Sequence, residues 1–227
     1  MFFFDFNPYI AIIGDIMQSK QIVDRECVQK KMVQTLAKIN KKYTDDIAAK
    51  FTITLGDEFQ GLLSCGTNVL KIITEIENEL DDVDIRFGIG VGDITTPINR
   101  EIAIGADGPG YYQARRAIDY LKKSEKKKES GKANIRLAID GKEQEATELV
   151  NVIFSLMTAM KSSWTARQRE VVWKMLQNST SQVEVASELG IRQSSVQKSL
   201  ANANFYTYKE AYLTVGKVLG EIRREHV

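Results

Sequence analysis

The stretch FTITLGDEFQGLL, residues Phe51 to Leu63, decides the fold. Phe51, Ile53 and Leu55 alternate with Thr52 and Thr54, the period-two pattern of a half-buried strand. Gly56-Asp57 interrupts the pattern, and an apolar run resumes from Phe59 to Leu63. A Gly-Asp pair between two such runs predicts a β-hairpin. Upstream, Tyr9 to Gly14 (YIAIIG) is a short apolar run, the mark of a strand covered on both faces. Between it and the hairpin, Cys27 to Tyr43 predicts a helix with Val28, Met32, Val33, Leu36 and Ile39 on one face. Downstream come a helix over Asn68 to Leu80, a strand over Asp84 to Ile94 (DIRFGIGVGDI), a helix over Gly110 to Lys123 and a strand over Ala133 to Ile139. The order β-α-β-β-α-β, then a further helix and strand, predicts an α+β, ferredoxin-like (βαββαβ) domain: a mixed antiparallel sheet with helices on one side.

The whole chain is consistent with this. Its 227 residues allow one large or two small domains, and 43% hydrophobic with 27% charged residues is the composition of a globular protein with a real core. Lys and Arg total 31 and Asp and Glu 30, for a net charge of +1, so no bulk charge announces a polyanionic partner. No apolar run reaches the roughly 18 residues of a membrane span. The start, MFFFDFNPYIAIIGD, lacks a positive n-region, so the expected location is cytoplasmic and no membrane partner is expected. Cys27 and Cys65 match no metal spacing and read as reduced thiols. The single histidine, His226, lies at the chain terminus. Catalysis here would have to run on carboxylates, Lys or Arg, hydroxyls and metal. The run KKSEKKKESGK, Lys122 to Lys132, reads as a solvated helix end and loop.

After Gly141 the pattern becomes wholly helical. Leu149, Val152, Ile153, Leu156, Met157 and Met160 recur at helical spacing, a stripe for core or dimer contact. The expected division is residues 1–141, a connecting helix over 142–163, and an all-α helix-turn-helix domain over 164–227. In the last, QVEVASELGIRQSSVQKSLA (Gln182 to Ala201) has Val185 and Leu189 on a first helix, small Ala186 at the crossing, Gly190 in the turn with Ile191 plugging it, and Val196 and Leu200 on the second helix. Trp164 to Leu176, with Thr165 as N-cap, is the expected supporting helix, backed by Trp173. Arg192, Gln193, Ser194, Ser195, Gln197 and Lys198 are left to face outward, types that read base edges or hold phosphates. From Trp164 onward nine basic residues stand against six acidic ones, a local +3 against −2 for the rest. A helical interaction module without DNA is the alternative.

In the first half, Asp15 follows Gly14 at a strand end, and Asp57 and Glu58 follow Gly56 at the hairpin tip. If the first strand lies beside the hairpin, these carboxylates form an oxygen-only site suited to Mg²⁺ or Mn²⁺; the alternative is that they are ordinary turn residues. Gly88, Gly90 and Gly92 share one face of their strand, which points to close approach of a ligand or of another backbone, a packed helix included. Gly105 to Gly110 (GADGPG) opens a helix, where free N–H groups and the helix dipole favour a phosphate. Gly108, Gly110, Arg115 and Arg116 are the phosphate or nucleotide candidates, with surface solvation the alternative for the two arginines.

These motifs together resemble the catalytic domain of class III nucleotidyl cyclases and, more distantly, diguanylate cyclases of the GGDEF type. Asp15 in GDIMQS and Asp57 in TLGDEF resemble the metal aspartates. RFGIGVG, Arg86 to Gly92, is similar to the cyclase strand R-I-G-I-x-x-G, and Gly108 to Arg116 to the helix G-x-x-V-N-x-A-x-R, with Arg116 at the family arginine. The resemblance covers about residues 9 to 140. It departs at Tyr112 (the family asparagine), at Ile53 (the purine-reading lysine of adenylyl cyclases) and near Gly105 (the purine-reading aspartate). The combination with the C-terminal domain resembles the SatD family of bacterial proteins. The resemblance implies a regulator in which a cyclase-like, nucleotide- and metal-binding domain is coupled to a DNA-binding helix-turn-helix, as a homodimer, with little or no cyclic product. An active metal-dependent cyclase and a catalytically dead scaffold are the alternatives.

Overall fold

The computed structural model describes residues 6–127, 133–141, 144–177 and 181–224. The elements are β1 (Tyr9–Ile16), α1 (Arg25–Lys42), β2 (Ile47–Leu55), β3 (Glu58–Leu63), α2 (Val69–Glu79), β4 (Ile85–Gly92), α3 (Pro109–Glu125), β5 (Ile135–Ile139), α4 (Gln144–Ser162), α5 (Ala166–Gln177), α6 (Gln182–Glu188), α7 (Gln193–Asn202) and α8 (Phe205–Gly220). The protein is mixed α+β, built on one five-stranded sheet of order β2-β3-β1-β4-β5. β1 pairs antiparallel with both β3 and β4, β2 antiparallel with β3, and β5 parallel with β4. The hairpin is where the Gly56-Asp57 signal puts it. β2 begins earlier than expected, at Ile47, because the alanines before Phe51 carry little strand propensity but still pair, with register shifts, along the sheet edge.

α1 and α2, the helices of the β-α-β-β-α-β run, lie on one side of the sheet, but the further helix α3 does not. β1 is buried on both faces, as its unbroken apolar run requires. Ile10, Ile12 and Ile16 join Met32, Leu36 and Ile39 of α1 and Ile72, Ile73 and Ile76 of α2 in one core. Ala11 and Ile13 point the other way and meet Tyr111, Ala114 and Ile118 of α3 in a second. α3 therefore covers the face opposite α1 and α2. The three glycines of β4 make this possible. A Cβ on Gly88 would stand 2.3 Å from the Ala114 carbonyl oxygen, one on Gly90 2.1 Å from that of Gly110, and one on Gly92 2.6 Å from the Gly110 nitrogen. The close approach read from the glycine face is thus that of the α3 backbone, while Phe87, Ile89 and Val91 fill the first core.

The first core continues without a break into the helical half, through Val150, Phe154 and Met157 of α4 to Val171, Val172, Val185, Val196, Leu200 and Leu219. The Trp164 indole N–H donates to the Ala203 carbonyl (3.0 Å), and its ring meets Trp173 and Tyr208 edge-on. Beyond α8 the chain returns to the sheet half. Gly66 N–H donates to the Ile222 carbonyl (2.8 Å), Cys65 and Arg223 form an antiparallel bridge, and the Arg224 guanidinium lies over the Tyr9 ring. Of the stripe expected on α4 only Met157 is buried; Ile153 and Met160 are half-buried, and Leu149, Val152 and Leu156 stand exposed, while Val150 and Phe154, outside that stripe, turn into the core. Both cysteines are free thiols, Cys27 exposed and Cys65 half-buried. Among the described residues no helix is long and apolar enough to cross a membrane. Part of the lysine-rich run, residues 128–132, and His226 lie outside the described residues.

Candidate functional site

The β1–β3 register sets Asp15 opposite Glu58, not Asp57, and the β1–β4 register sets Asp15 opposite Arg86. Cross-strand partners share a face, so Asp15, Glu58 and Arg86 all look toward α3. All three are more than nine-tenths buried. Two buried carboxylates side by side are tolerable only with cations among them, and α3 supplies these. Arg86 donates to Asp15 (2.5 Å) and, through Nε, to Glu125 of α3 (2.6 Å). Lys122 closes on the other Asp15 oxygen at 2.8 Å. Arg115 grips Glu58 with both terminal nitrogens, and Thr54 adds its hydroxyl at 3.1 Å. Burial by itself would raise the Glu58 carboxyl, but the Arg115 fork outweighs it and holds Glu58 below its ordinary value. Burial likewise works to lower Arg86, and Glu125 and Asp15 reverse it. The result is a balanced zipper of three acids and three bases that clamps α3 to the sheet. Lys122, read from the sequence as part of a solvated run, is a member of it because the helix continues through Glu125.

Asp57 lies apart in the hairpin turn. Its backbone carbonyl accepts from Ile16 N–H (3.0 Å), and its carboxylate accepts from the Ser19 hydroxyl (2.5 Å). The carboxylates expected to hold Mg²⁺ or Mn²⁺ are thus each engaged, Asp15 by two cations, Glu58 by Arg115 and Asp57 by Ser19. Among the described residues no three His, Cys, Asp or Glu side chains gather as a metal site. As arranged, these residues do not fit a divalent ion.

The glycine-rich turn before α3 is also spoken for. Gly110 N–H donates to the Asp93 carbonyl (3.1 Å), and Gly108 sits against the Asp93–Thr95 backbone, where a Cβ would come within 2.8 Å. Tyr112, at the position of the family asparagine, donates its hydroxyl to Asp107 (2.7 Å). Of the phosphate candidates, Arg115 is committed to Glu58, while Arg116 points elsewhere. It lines a cavity of about 320 Å³ between α3, β5 and α4, together with Arg136, which the sequence reading did not single out. A lone arginine in a strand next to a charged loop gives no sequence signal; only the parallel β4–β5 pairing brings it beside α3.

In the helical half, α6 and α7 are joined by residues 189–192. Ser181 caps α6 in a reciprocal box with Glu184. Gly190 takes φ +62°, a conformation that favours glycine, and Ile191 N–H reaches back to the Ala186 carbonyl (3.0 Å). Val185, Ala186, Val196 and Leu200 are buried. Arg192, Gln193, Ser194, Ser195, Gln197 and Lys198 are all exposed. Gln193 is oriented by its side-chain N–H donating to the Gln182 side-chain amide oxygen (2.8 Å), whereas no carboxylate pairs with Arg192 or Lys198 among the described residues.

The protein is therefore an α+β sheet unit with one face clamped by α3, joined through a shared core to a bundle of helices. A family model described as the SatD family matches residues 9–215, and the chain belongs to that family. No curated protein matches it. Solved structures similar in part include the catalytic core of a rhodopsin-guanylyl cyclase with converted specificity in complex with ATPαS (14% identity, 49% of this chain and 71% of that one, TM-score 0.37). Others are the dimeric guanylyl cyclase domain of the RhoGC fusion protein from the aquatic fungus Blastocladiella emersonii (14%, 49% and 73%, 0.39) and the guanylyl cyclase Cya2 (12%, 50% and 70%, 0.39).

Proposed function

We propose that this chain is a DNA-binding regulator whose helical half docks α7 in the major groove as a helix-turn-helix, and whose sheet half is a ligand-binding, nucleotide-type domain of ferredoxin-like order. The functional division is residues 1–141, 142–163 and 164–227. The observation that carries the reading is the outer face of α7 and its N-cap Arg192: exposed amides and hydroxyls, and two cations with no carboxylate partner among the described residues, on a helix whose inner face is buried. Side chains of these types, aligned on one helix face, serve duplex recognition, with cations on phosphates and amides on base edges. The local excess of basic residues from Trp164 onward supports it. The candidate carboxylates of the sheet half, Asp15 and Glu58 held in ion pairs and Asp57 by a hydroxyl, favour binding over turnover. A homodimer belongs to the reading, with Leu149, Val152 and Leu156 the exposed apolar stripe available to a second copy.

The test is competition binding to a library of duplexes. Lys198→Ala should weaken all sequences alike, because a phosphate contact carries no sequence information, while Gln197→Ala or Gln193→Ala should change the order of preference. Equal, sequence-blind losses in all three variants would refute base reading by α7. Sedimentation velocity of Val152→Asp tests the dimer; an unchanged state would remove the stripe from the account.

A further inference from the structure

The Arg116–Arg136 cavity is the feature that the ion-pair zipper and α7 leave unexplained. Where α3 meets the sheet, Arg86 of β4 and Arg115 of α3 each hold a carboxylate. Arg116 and Arg136 hold none among the described residues, although they line one cavity. Arg136 is half-buried, its guanidinium carbon 3.5 Å from the centre of the Tyr120 ring. A guanidinium stacked in this way keeps its in-plane N–H donors free for a planar or tetrahedral anion. Burial depresses the Arg136 pKa, and the nearby positive charge of Arg116 adds to this, against Tyr120 and Glu148. Glu148 is the acid on the cavity rim; it is exposed and makes no hydrogen bond to either arginine. Two cations converging, with no hydrogen-bonded counter-charge among the described residues, is an arrangement that an anion relieves.

A second observation gives the ligand a polar body as well. Gln113 lines the cavity, and its buried side-chain oxygen has no hydrogen-bond partner among the described residues, its nitrogen being directed to Asp140 (3.3 Å). A buried acceptor left unsatisfied costs about 1–3 kcal/mol, which a hydroxyl donated by a ligand would recover. The floor is rigid: Asn151 of α4 spans the β5 backbone, accepting from Leu137 N–H (2.7 Å) and donating to its carbonyl (2.9 Å). At about 320 Å³ the space is at the small end of ligand cavities.

We propose that the cavity between α3, β5 and α4 is a binding site for a small hydroxyl-bearing phosphate ester, its phosphate held by Arg116 and Arg136 and a hydroxyl by Gln113. This site uses neither the glycine-rich turn nor a divalent metal. It names the ligand class for the sheet half of the proposed function and does not depend on DNA binding by α7.

Isothermal titration of the full chain with ribose 5-phosphate, AMP, inorganic phosphate and ribose, in EDTA, tests it. Expected are binding of the two esters, weaker binding of inorganic phosphate and none of ribose. Arg116→Gln, an exposed change that leaves the fold intact, should weaken the esters at least tenfold. Arg136→Gln should do the same, and Arg136→Lys should recover only part, because lysine lacks the stacked fork. Gln113→Leu should cost the esters more than inorganic phosphate. Lys198→Ala, which tests DNA binding, should leave every titration unchanged, so the two readings fail separately. No binding by the unaltered chain, or ester binding unaffected by Arg116→Gln, overturns the proposal.

Discussion

Replacing Gly90 by alanine tests how the sheet half is assembled. The added Cβ would stand 2.1 Å from the Gly110 carbonyl oxygen and 2.2 Å from the Ala114 nitrogen. Ordinary contact begins near 3.4 Å, so α3 must retreat by about 1.3 Å at both points. Both obstacles are backbone, so no side-chain rotation relieves them. Overpacking of a core typically costs about 1–3 kcal/mol; with two backbone clashes and a charged zipper stretched by the same movement, about 3 kcal/mol or more is expected. For a chain of this size that lowers the melting temperature by roughly 6–12 °C. Equilibrium urea denaturation measures the loss directly. Gly56→Ala is the control: nothing lies within 4 Å of its added Cβ, so its effect should stay between zero and a gain of about 1 kcal/mol. A Gly90→Ala loss under 1 kcal/mol, or one matched by Gly56→Ala, would show that α3 does not press on β4 as described.

Further outcomes follow from the zipper. Arg86→Met leaves Glu125 and one side of Asp15 without their cation and should cost about 3–5 kcal/mol by urea denaturation; a loss below 1 kcal/mol would mean the network does not clamp α3. The lowered Glu58 carboxyl makes stability pH-dependent in a defined direction. Its contribution is fully present above the ordinary carboxylate value of 4.5 and is lost as pH falls through the lower folded value, so Arg115→Gln should flatten the acid limb of the stability curve. An unchanged acid limb would contradict the Arg115–Glu58 pairing. Because the carboxylates are engaged, millimolar Mg²⁺ or Mn²⁺ should leave the melting temperature unchanged. A stabilisation abolished by Asp15→Asn would restore the metal site.

The hairpin and the helices around it were legible because their signals are local. Gly56-Asp57 marks the turn, period-two alternation marks β2, and apolar residues at helical spacing, Met32, Leu36 and Ile39 in α1 and Ile72, Ile73 and Ile76 in α2, mark the helices. The helical pair α6–α7 was legible for the same reason, since Ala186, Gly190 and Ile191 occupy a fixed local spacing. The side of the sheet taken by α3 was not. It depends on which face of β4 carries the glycines relative to which face of β1 carries Ala11 and Ile13, a relation set only by strand pairing. The candidate carboxylates were found but their company was not. Asp15 and Asp57 are equally placed after a glycine in sequence, yet register puts Glu58 opposite Asp15 and leaves Asp57 in the turn. Their cationic partners Arg86, Arg115 and Lys122 are far away in sequence, and Arg136 faces Arg116 only because β5 adds in parallel beside β4.

The most direct measurement of the central claim is the salt dependence of duplex binding by the full chain, followed by fluorescence anisotropy. Counterion release makes the logarithm of the binding constant fall linearly with the logarithm of salt concentration, by about 0.9 per phosphate neutralised. The account predicts such a line for the unaltered chain, and a slope smaller by about one unit for Lys198→Ala and again for Arg192→Ala. A folded chain that shows no salt-sensitive binding at low ionic strength, or a slope that neither substitution changes, would contradict a DNA-binding role for α7.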